Sequence, residues 1–274
     1  MESLEPLPSS QPAQNPQQDA AAPEKRKGES LKELARSLSI VLICVLFIRT
    51  FVAEATVIPT GSMEQTILIG DHVFLNKLLY GPRLPFTDIR FPAVRSVNRG
   101  EIVAFHYPRN PSVLFVKRTI GLGGDIVKIE KRKVYLNGKL LDEPYAHFQF
   151  STVLPLRDNF PPEVSEIERL PAAWGLDPAW AREMSRYIEK DGMRVPPGYL
   201  FVMGDNRDNS QDSRYWGFVP VEAVVGEPLF VYWSYDAPTP YWTPGSIEEF
   251  ARTKLSIAWH FLSRTRWSRT GKTF

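Results

Sequence analysis

Between Leu31 and Ala53 the chain reads L-K-E-L-A-R-S-L-S-I-V-L-I-C-V-L-F-I-R-T-F-V-A, and this apolar run limits what the rest can become. Lys25, Arg26 and Lys27 precede it, and Lys32 and Arg36 fall in its first turns. Only about a dozen residues between Arg36 and Arg49 are free of charge, whereas a spanning helix needs roughly 20. An arginine near a helix end can carry its charge to the interface, so Phe51 to Ala53 extend the apolar span. The run therefore reads as a single membrane anchor, residues 31–53. The basic flank places the N-terminus in the cytoplasm and everything after Ala53 outside. Two other readings fit the same residues: a cleaved secretory signal, because Ala53-Glu54-Ala55 has the A-x-A form of a cleavage site, and a buried core helix. Residues 1–30 are rich in Pro, Gln, Ala and Ser and poor in large apolar groups, which predicts a disordered tail.

Beyond the anchor, 24 prolines and 12% aromatic residues favour short strands and turns over a helical bundle. A net charge of +2, with no basic stripe in mid-chain, argues against nucleic acid as a partner. The one cysteine, Cys44, lies inside the apolar run, so neither an intramolecular disulfide nor a cysteine-based metal site is available.

Strands are predicted from Ile67 towards Leu79, at I-V-A-F-H-Y from Ile102, and at V-L-F-V-K-R-T-I from Val113. The glycines at 121, 123 and 124 match no phosphate-loop spacing and read as a turn. Asp125 to Leu141 reads as a hairpin turning at Asn137-Gly138. From Asp142 to Pro197 the composition shifts to Pro, Glu, Trp and mixed charge. This stretch reads as an inserted subdomain with a solvated face, holding a helix capped by Asp177, opened by Pro178 and running on to Lys190. Strands resume at Tyr199. The predicted organisation is thus a β domain in two parts, 54–141 and 198–246, interrupted by 142–197 and followed by a basic tail, 247–274. That tail begins with a helical pattern and ends in Arg264, Arg266, Trp267, Arg269 and Lys272. Both a solvated tail and a contact with anionic lipid suit it.

Two side chains stand out chemically. Ser62 follows Pro59-Thr60-Gly61, a turn that would present its hydroxyl, and an apolar run begins a few residues later. A serine attacks a carbonyl only when something takes its proton. None of the four histidines has a recognisable triad context. Lysine can serve if burial lowers its pKa from about 10.4 towards 7 or 8. Lys117 is the candidate, set among Val113, Leu114, Phe115, Val116 and Ile120.

Three blocks follow the anchor in order: T-V-I-P-T-G-S-M-E-Q-T-I-L-I-G-D from Thr56, V-K-R-T-I-G-L-G-G-D from Val116, and G-D-N-R-D-N-S-Q-D-S-R-Y-W-G from Gly204. Together they resemble the type I signal peptidases of bacteria, from about Leu34 to Trp233. The resemblance implies a mostly β fold of coiled antiparallel sheets behind an N-terminal transmembrane helix in the inner membrane, with an apolar surface that dips into the bilayer. It implies Ser62 as nucleophile, Lys117 as general base and Ser210 as the group that aims the lysine. The oxyanion would be held by the Ser62 N–H and by Thr60, where many relatives carry serine. Ile58, Met63, Ile67, Phe115 and Val116 would line shallow pockets for the A-x-A end of a signal peptide, bound as an added strand. Neither metal nor cofactor is called for, and the partners implied are signal peptides of exported preproteins and the lipid bilayer. Peptidases specialised for single substrates share these features, and a β-rich envelope scaffold that binds partners is the reading from another class.

Overall fold

The computed structural model describes residues 31–84, 87, 89–167, 169–170, 175–243 and 245–274. The tail predicted at residues 1–30, with its basic Lys25 to Lys27, lies outside them. The chain divides into two compact units, residues 1–43 and 44–274, each described by itself.

Helix α1, Leu31–Phe47, continues through a wider π-type turn at Ile48–Val52. The 22 residues from Leu31 to Val52 are long and apolar enough to cross a membrane, and none of the most apolar window is buried within the protein. Every residue of Leu31–Phe47 is exposed, which is not the burial pattern of a core helix.

The second unit is built on two antiparallel sheets. The larger orders its strands β1-β2-β12-β3-β4-β10-β11. These are β1 (Ala53–Val57), β2 (Asp71–Asn76), β3 (Ile102–Tyr107), β4 (Asn110–Leu122), β10 (Tyr199–Met203), β11 (Val219–Pro220) and β12 (Val224–Ser234). The smaller orders β7-β6-β5-β9-β8, from β5 (Ile126–Glu130), β6 (Lys133–Leu136), β7 (Lys139–Leu140), β8 (Ile188–Glu189) and β9 (Gly192–Arg194). The predominance of short antiparallel strands matches the predicted fold class. In β2 the burial alternates residue by residue, with Val73 and Leu75 turned into a core that also takes Ile58, Met63, Ile67, Ile102, Ala104 and Val231. Apolar alternation of this kind fixes register, because a one-residue slip would expose the whole row.

Several local expectations change in three dimensions. The predicted hairpin 125–141 is a three-strand meander with a second tight turn at Lys131-Arg132, where φ is 48° and 73°. Neither residue type favours that backbone. It is held from outside, by Lys131 N–H donating to Asn159 Oδ1 and Arg132 N–H to the Asp158 carbonyl. After the one-turn helix α2, Val164–Ile167, comes α3, the helix capped by Asp177, whose carboxylate accepts the Trp180 N–H at 2.8 Å; it spans only Pro178–Met184. Of the residues predicted to continue it, Ser185–Tyr187 tighten into a 3-10 turn and Ile188–Glu189 form β8, whose backbone pairs with β9.

Region 142–197 does not present a simple solvated face. Leu156, Phe160, Trp180, Met184, Met193 and Val195 are buried in the main core, and β9 pairs directly with β5. Its charges are partly internal as well: Arg157 and Asp158 are buried and paired at 2.7 Å. The C-terminal arginines also have work in the body of the protein. Arg269 Nε donates to the fully buried Asp71 carboxylate at 2.9 Å, and Arg266 Nε donates to Ser234 Oγ, itself bonded to Asp71.

Candidate active site

Ser62 sits in the one-turn 3-10 helix Gly61–Met63 that follows β1. The chain reaches it in extended form, with Thr60 at φ −129° and ψ 153°. Gly61 does not adopt the left-handed backbone; a Cβ there would lie 3.0 Å from the Glu64 carboxylate that curls back over it. The left-handed residue is Gln65, at φ 76°, which turns the loop towards β2.

Lys117 comes from the middle of β4, in register with Val103 of β3. Its Nζ lies 2.6 Å from Ser62 Oγ, and it donates to its neighbour's carbonyl, Val116 O, at 3.2 Å. Both side chains are buried, Ser62 at 8% and Lys117 at 4% exposure. Loss of water penalises the ammonium, and burial pulls the Lys117 pKa down to about 8. Asp212 and Asp205 pull the other way, and Arg214 weakens their effect.

The loop after β10 supports both residues. Asn206 N–H donates to Ser62 O at 3.1 Å, and Asn206 Nδ2 donates to Gly61 O at 3.2 Å. A Cβ on Gly204 would fall 2.4 Å from both Ser210 Oγ and Ser62 O, so only glycine permits this approach. Asp212 caps the short helix α4, Ser213–Trp216, and receives both Arg214 Nε and Nη2 at 2.8 Å. Although burial alone would push its carboxyl up, the Arg214 charge and hydrogen bonds hold Asp212 below the ordinary carboxylate range. Asp205 accepts a two-pronged bond from Arg118 at 2.8 and 2.6 Å, and Thr66 Oγ1 donates to it at 2.6 Å.

Beside the pair lies a cleft of about 420 Å³. One wall is Thr56 to Thr60 and the other is Val113 to Val116. In the larger sheet β1 has a neighbour only on the β2 side, and the Val113–Val116 part of β4 pairs only with β3. The cleft therefore separates two strand edges with free backbone groups, the geometry that accepts an extended peptide. A larger cleft of about 580 Å³, bordered by Lys77, His106 and Glu222, contains no activated nucleophile.

The residues singled out in the sequence are distributed as follows. Ile58, Thr60, Ser62, Met63, Phe115, Val116 and Lys117 all border the first cleft. Ile67 is fully buried and absent from that lining; it packs in the core with Met63 and Val73. Ser210 is buried nearby, yet its Oγ makes no full hydrogen bond among the described residues and none to Lys117. It comes close enough to Asp212 only to reinforce that carboxylate's acidity. Thr60 is exposed and its hydroxyl caps nothing. Arg118 and Asn206 were missed as supports. Their signals were present, an arginine directly after the lysine and an asparagine directly after an aspartate, but their partners are distant in sequence.

Residues 31–233 match the family described as signal peptidase, peptidase S26. The chain belongs to that family. It is accordingly a signal peptidase, a serine peptidase in chemistry. It is similar to the signal peptidase I of Pseudomonas aeruginosa, with 37% identity over 80% of this chain and 79% of the relative. To the signal peptidase I of Aquifex aeolicus it is 35% identical over 86% and 95% of the two chains. A crystal structure of a signal peptidase I from Enterococcus faecalis aligns with 49% of this chain and 98% of its own at 28% identity, with a TM-score of 0.31.

Proposed function

We propose that the chain is a membrane-anchored endopeptidase that removes signal peptides by cutting after a small-x-small site, with Ser62 as nucleophile and Lys117 as general base. The observation that carries this reading is the 2.6 Å approach of Lys117 Nζ to Ser62 Oγ in a buried site. With its pKa near 8, a usable share of Lys117 is neutral at physiological pH.

The steps follow from that geometry. Neutral Lys117 accepts the Ser62 hydroxyl proton as Oγ attacks the scissile carbonyl of a peptide extended between the two strand edges. Negative charge gathers on the carbonyl oxygen, where the Ser62 N–H and the Thr60 hydroxyl donate to it. The protonated lysine then gives its proton to the leaving amine, and the acyl group stays on Ser62 Oγ. Water enters, loses a proton to Lys117 and attacks the ester, which frees the signal peptide carboxylate and returns the proton to Ser62. Ile58, Met63, Phe115 and Val116 narrow the cleft so that small side chains fit best beside the scissile bond. Ser210 and the Asp212–Arg214 pair fix the lysine's surroundings rather than exchange protons.

The apolar 22-residue helix and its basic N-terminal flank support a single-pass anchor in the inner membrane, with the N-terminus cytoplasmic and the catalytic unit outside. As organisation we retain a tail, residues 1–30, an anchor, 31–53, and a catalytic unit assembled from 54–141 and 198–246, to which 142–197 contributes two strands.

The test is cleavage of a preprotein ending its signal in A-x-A by detergent-solubilised wild type, Ser62→Ala and Lys117→Ala. Cleavage by the wild type alone, rising with pH through about 8, is the expected result. Equal cleavage by wild type and Lys117→Ala would overturn the general-base role.

A further inference from the structure

The loop after β10 that supports Ser62 is bordered by a short stretch of the inserted region, Glu143 to Phe150. Arg207 forks onto the Glu143 carboxylate at 3.0 and 2.6 Å. The Arg118 guanidinium, which holds Asp205, also stacks 3.9 Å from the centre of the Tyr145 ring. His147 N–H donates to Asp205 O at 2.7 Å, and His147 O accepts the Arg207 N–H at 2.9 Å. Asp208 accepts the Gln149 and Phe150 N–H groups, both at 2.8 Å. In this arrangement His147 bridges to Asn206 as a neighbouring strand would.

One contact of the stretch reaches the nucleophile's own turn. Gln65 Nε2 donates to His147 Nδ1 at 2.9 Å. Gln65 stands three residues after Ser62 at φ 76°, a backbone that glutamine seldom adopts and that persists only where its surroundings hold it. Burial does not hold it, because Gln65 is exposed. The turn's backbone bonds among the described residues run from Glu64 N–H to Gly61 O and from Thr66 and Ile67 N–H to Met63 O, and pass Gln65 by. The side-chain bond to His147 is what fixes it. Ser62 is thus gripped from two directions. Asn206 takes the carbonyls of Ser62 and Gly61, and His147, bridged to Asn206, takes Gln65.

We propose that Gln65 and His147 are positioning residues for Ser62: their hydrogen bond locks the nucleophile's turn to the loop that carries Ser210 and Asp212 beside Lys117. The inserted region takes part in catalysis through this bond. The inference rests on Ser62 as the nucleophile, whose Oγ has to stay 2.6 Å from Lys117 Nζ. A displacement of about 1 Å at such a pair can cost on the order of a hundredfold in rate. Neither Gln65 nor His147 borders the cleft, so the effect belongs in kcat and not in KM.

The experiment compares kcat and KM of the full chain in detergent on a peptide with an A-x-A site. Gln65→Ala and His147→Leu should each lower kcat by about tenfold, the weight of one hydrogen bond, with KM unchanged. Combined, they should lose no more than either alone, because both break the same bond. His147→Asn should keep the wild-type rate, since Asn Oδ1 stands as many bonds from the backbone as Nδ1 and accepts from Gln65. Gln65→Gly relieves the left-handed backbone, so its denaturation midpoint should hold while kcat falls as in Gln65→Ala. Additive losses in the double variant, His147→Asn as slow as His147→Leu, or wild-type kcat in Gln65→Gly would each overturn the inference. A second readout needs no peptidase activity. On a Cys44→Ser background, Ser62→Cys places a thiol beside Lys117, and the pH midpoint of its alkylation should lie below the free-thiol value of about 8.5. Gln65→Ala should move that midpoint upward and His147→Asn should leave it in place. An unmoved midpoint in Gln65→Ala sinks the positioning role, whereas an active Ser62→Ala enzyme sinks only the nucleophile assignment.

Discussion

Replacing Lys117 by methionine should make the protein more stable at pH 7 and nearly inactive. Burial lowers the folded-state pKa of Lys117 from 10.5 to about 8. At pH 7 the lysine is mainly protonated in both states, and the folded state solvates that charge poorly, at a cost of about 3 kcal/mol. Between pH 8 and 10.5 the folded lysine is neutral while the unfolded one keeps its proton, so wild-type stability climbs by that amount as pH rises. Methionine fills the same space without a charge, but it gives up the contact with Ser62 Oγ, worth about 1 kcal/mol. The variant should therefore lead by about 2 kcal/mol at pH 7 and trail by about 1 kcal/mol above pH 10.5. Denaturant unfolding of both proteins in detergent, followed by tryptophan fluorescence at pH 7 and pH 10.5, measures the gap directly. Losing the general base should cost about 10²–10⁴ in rate. A stability gap that stays constant between the two pH values would refute the buried-ammonium argument, and so would a wild type that is the more stable protein at pH 7.

Other expectations are tested by single substitutions. Thr60→Val keeps the shape of the side chain and loses its hydroxyl, so kcat should fall by about 10²–10³ with KM little changed, whereas Thr60→Ser should retain activity. Gly204→Ala drives a methyl into Ser210 Oγ and the Ser62 carbonyl; peptide cleavage should be lost while the far-ultraviolet circular dichroism spectrum keeps its β character. Asp212→Asn leaves the buried Arg214 guanidinium without its counter-charge, and unfolding should shift by about 3–5 kcal/mol towards instability.

Much of the site was legible in order along the chain. The apolar run predicted a lone helix, and the alternation and turn residues predicted a β unit with short strands. Lys117 stood out because an ammonium in V-L-F-V-K-R-T-I has to be buried or pay to reach water. The Asp177 cap was equally plain, since a carboxylate before proline has a specific job at a helix start. What failed were features whose cause lies far off in sequence. The Lys131-Arg132 turn follows no local preference and is imposed by Asn159 and Asp158. The charges of 142–197 looked solvated because nothing local reveals that Arg207 will meet Glu143 or that Asp158 will be buried.

By itself, then, the sequence determined the chemical actors and their local backbone: a long apolar helix, a serine at a turn, a lysine in an apolar strand and a polar loop rich in backbone-bonding side chains. Only the tertiary structure decided their relations. It set Lys117 at 2.6 Å from a serine 55 positions away, and left two strand edges unpaired across the cleft. It also turned Arg269 onto Asp71. The physical reason is that helix propensity, turns and caps are short-range and written in neighbouring residues. The pKa of a lysine depends on the water and charge that the whole fold removes or brings near.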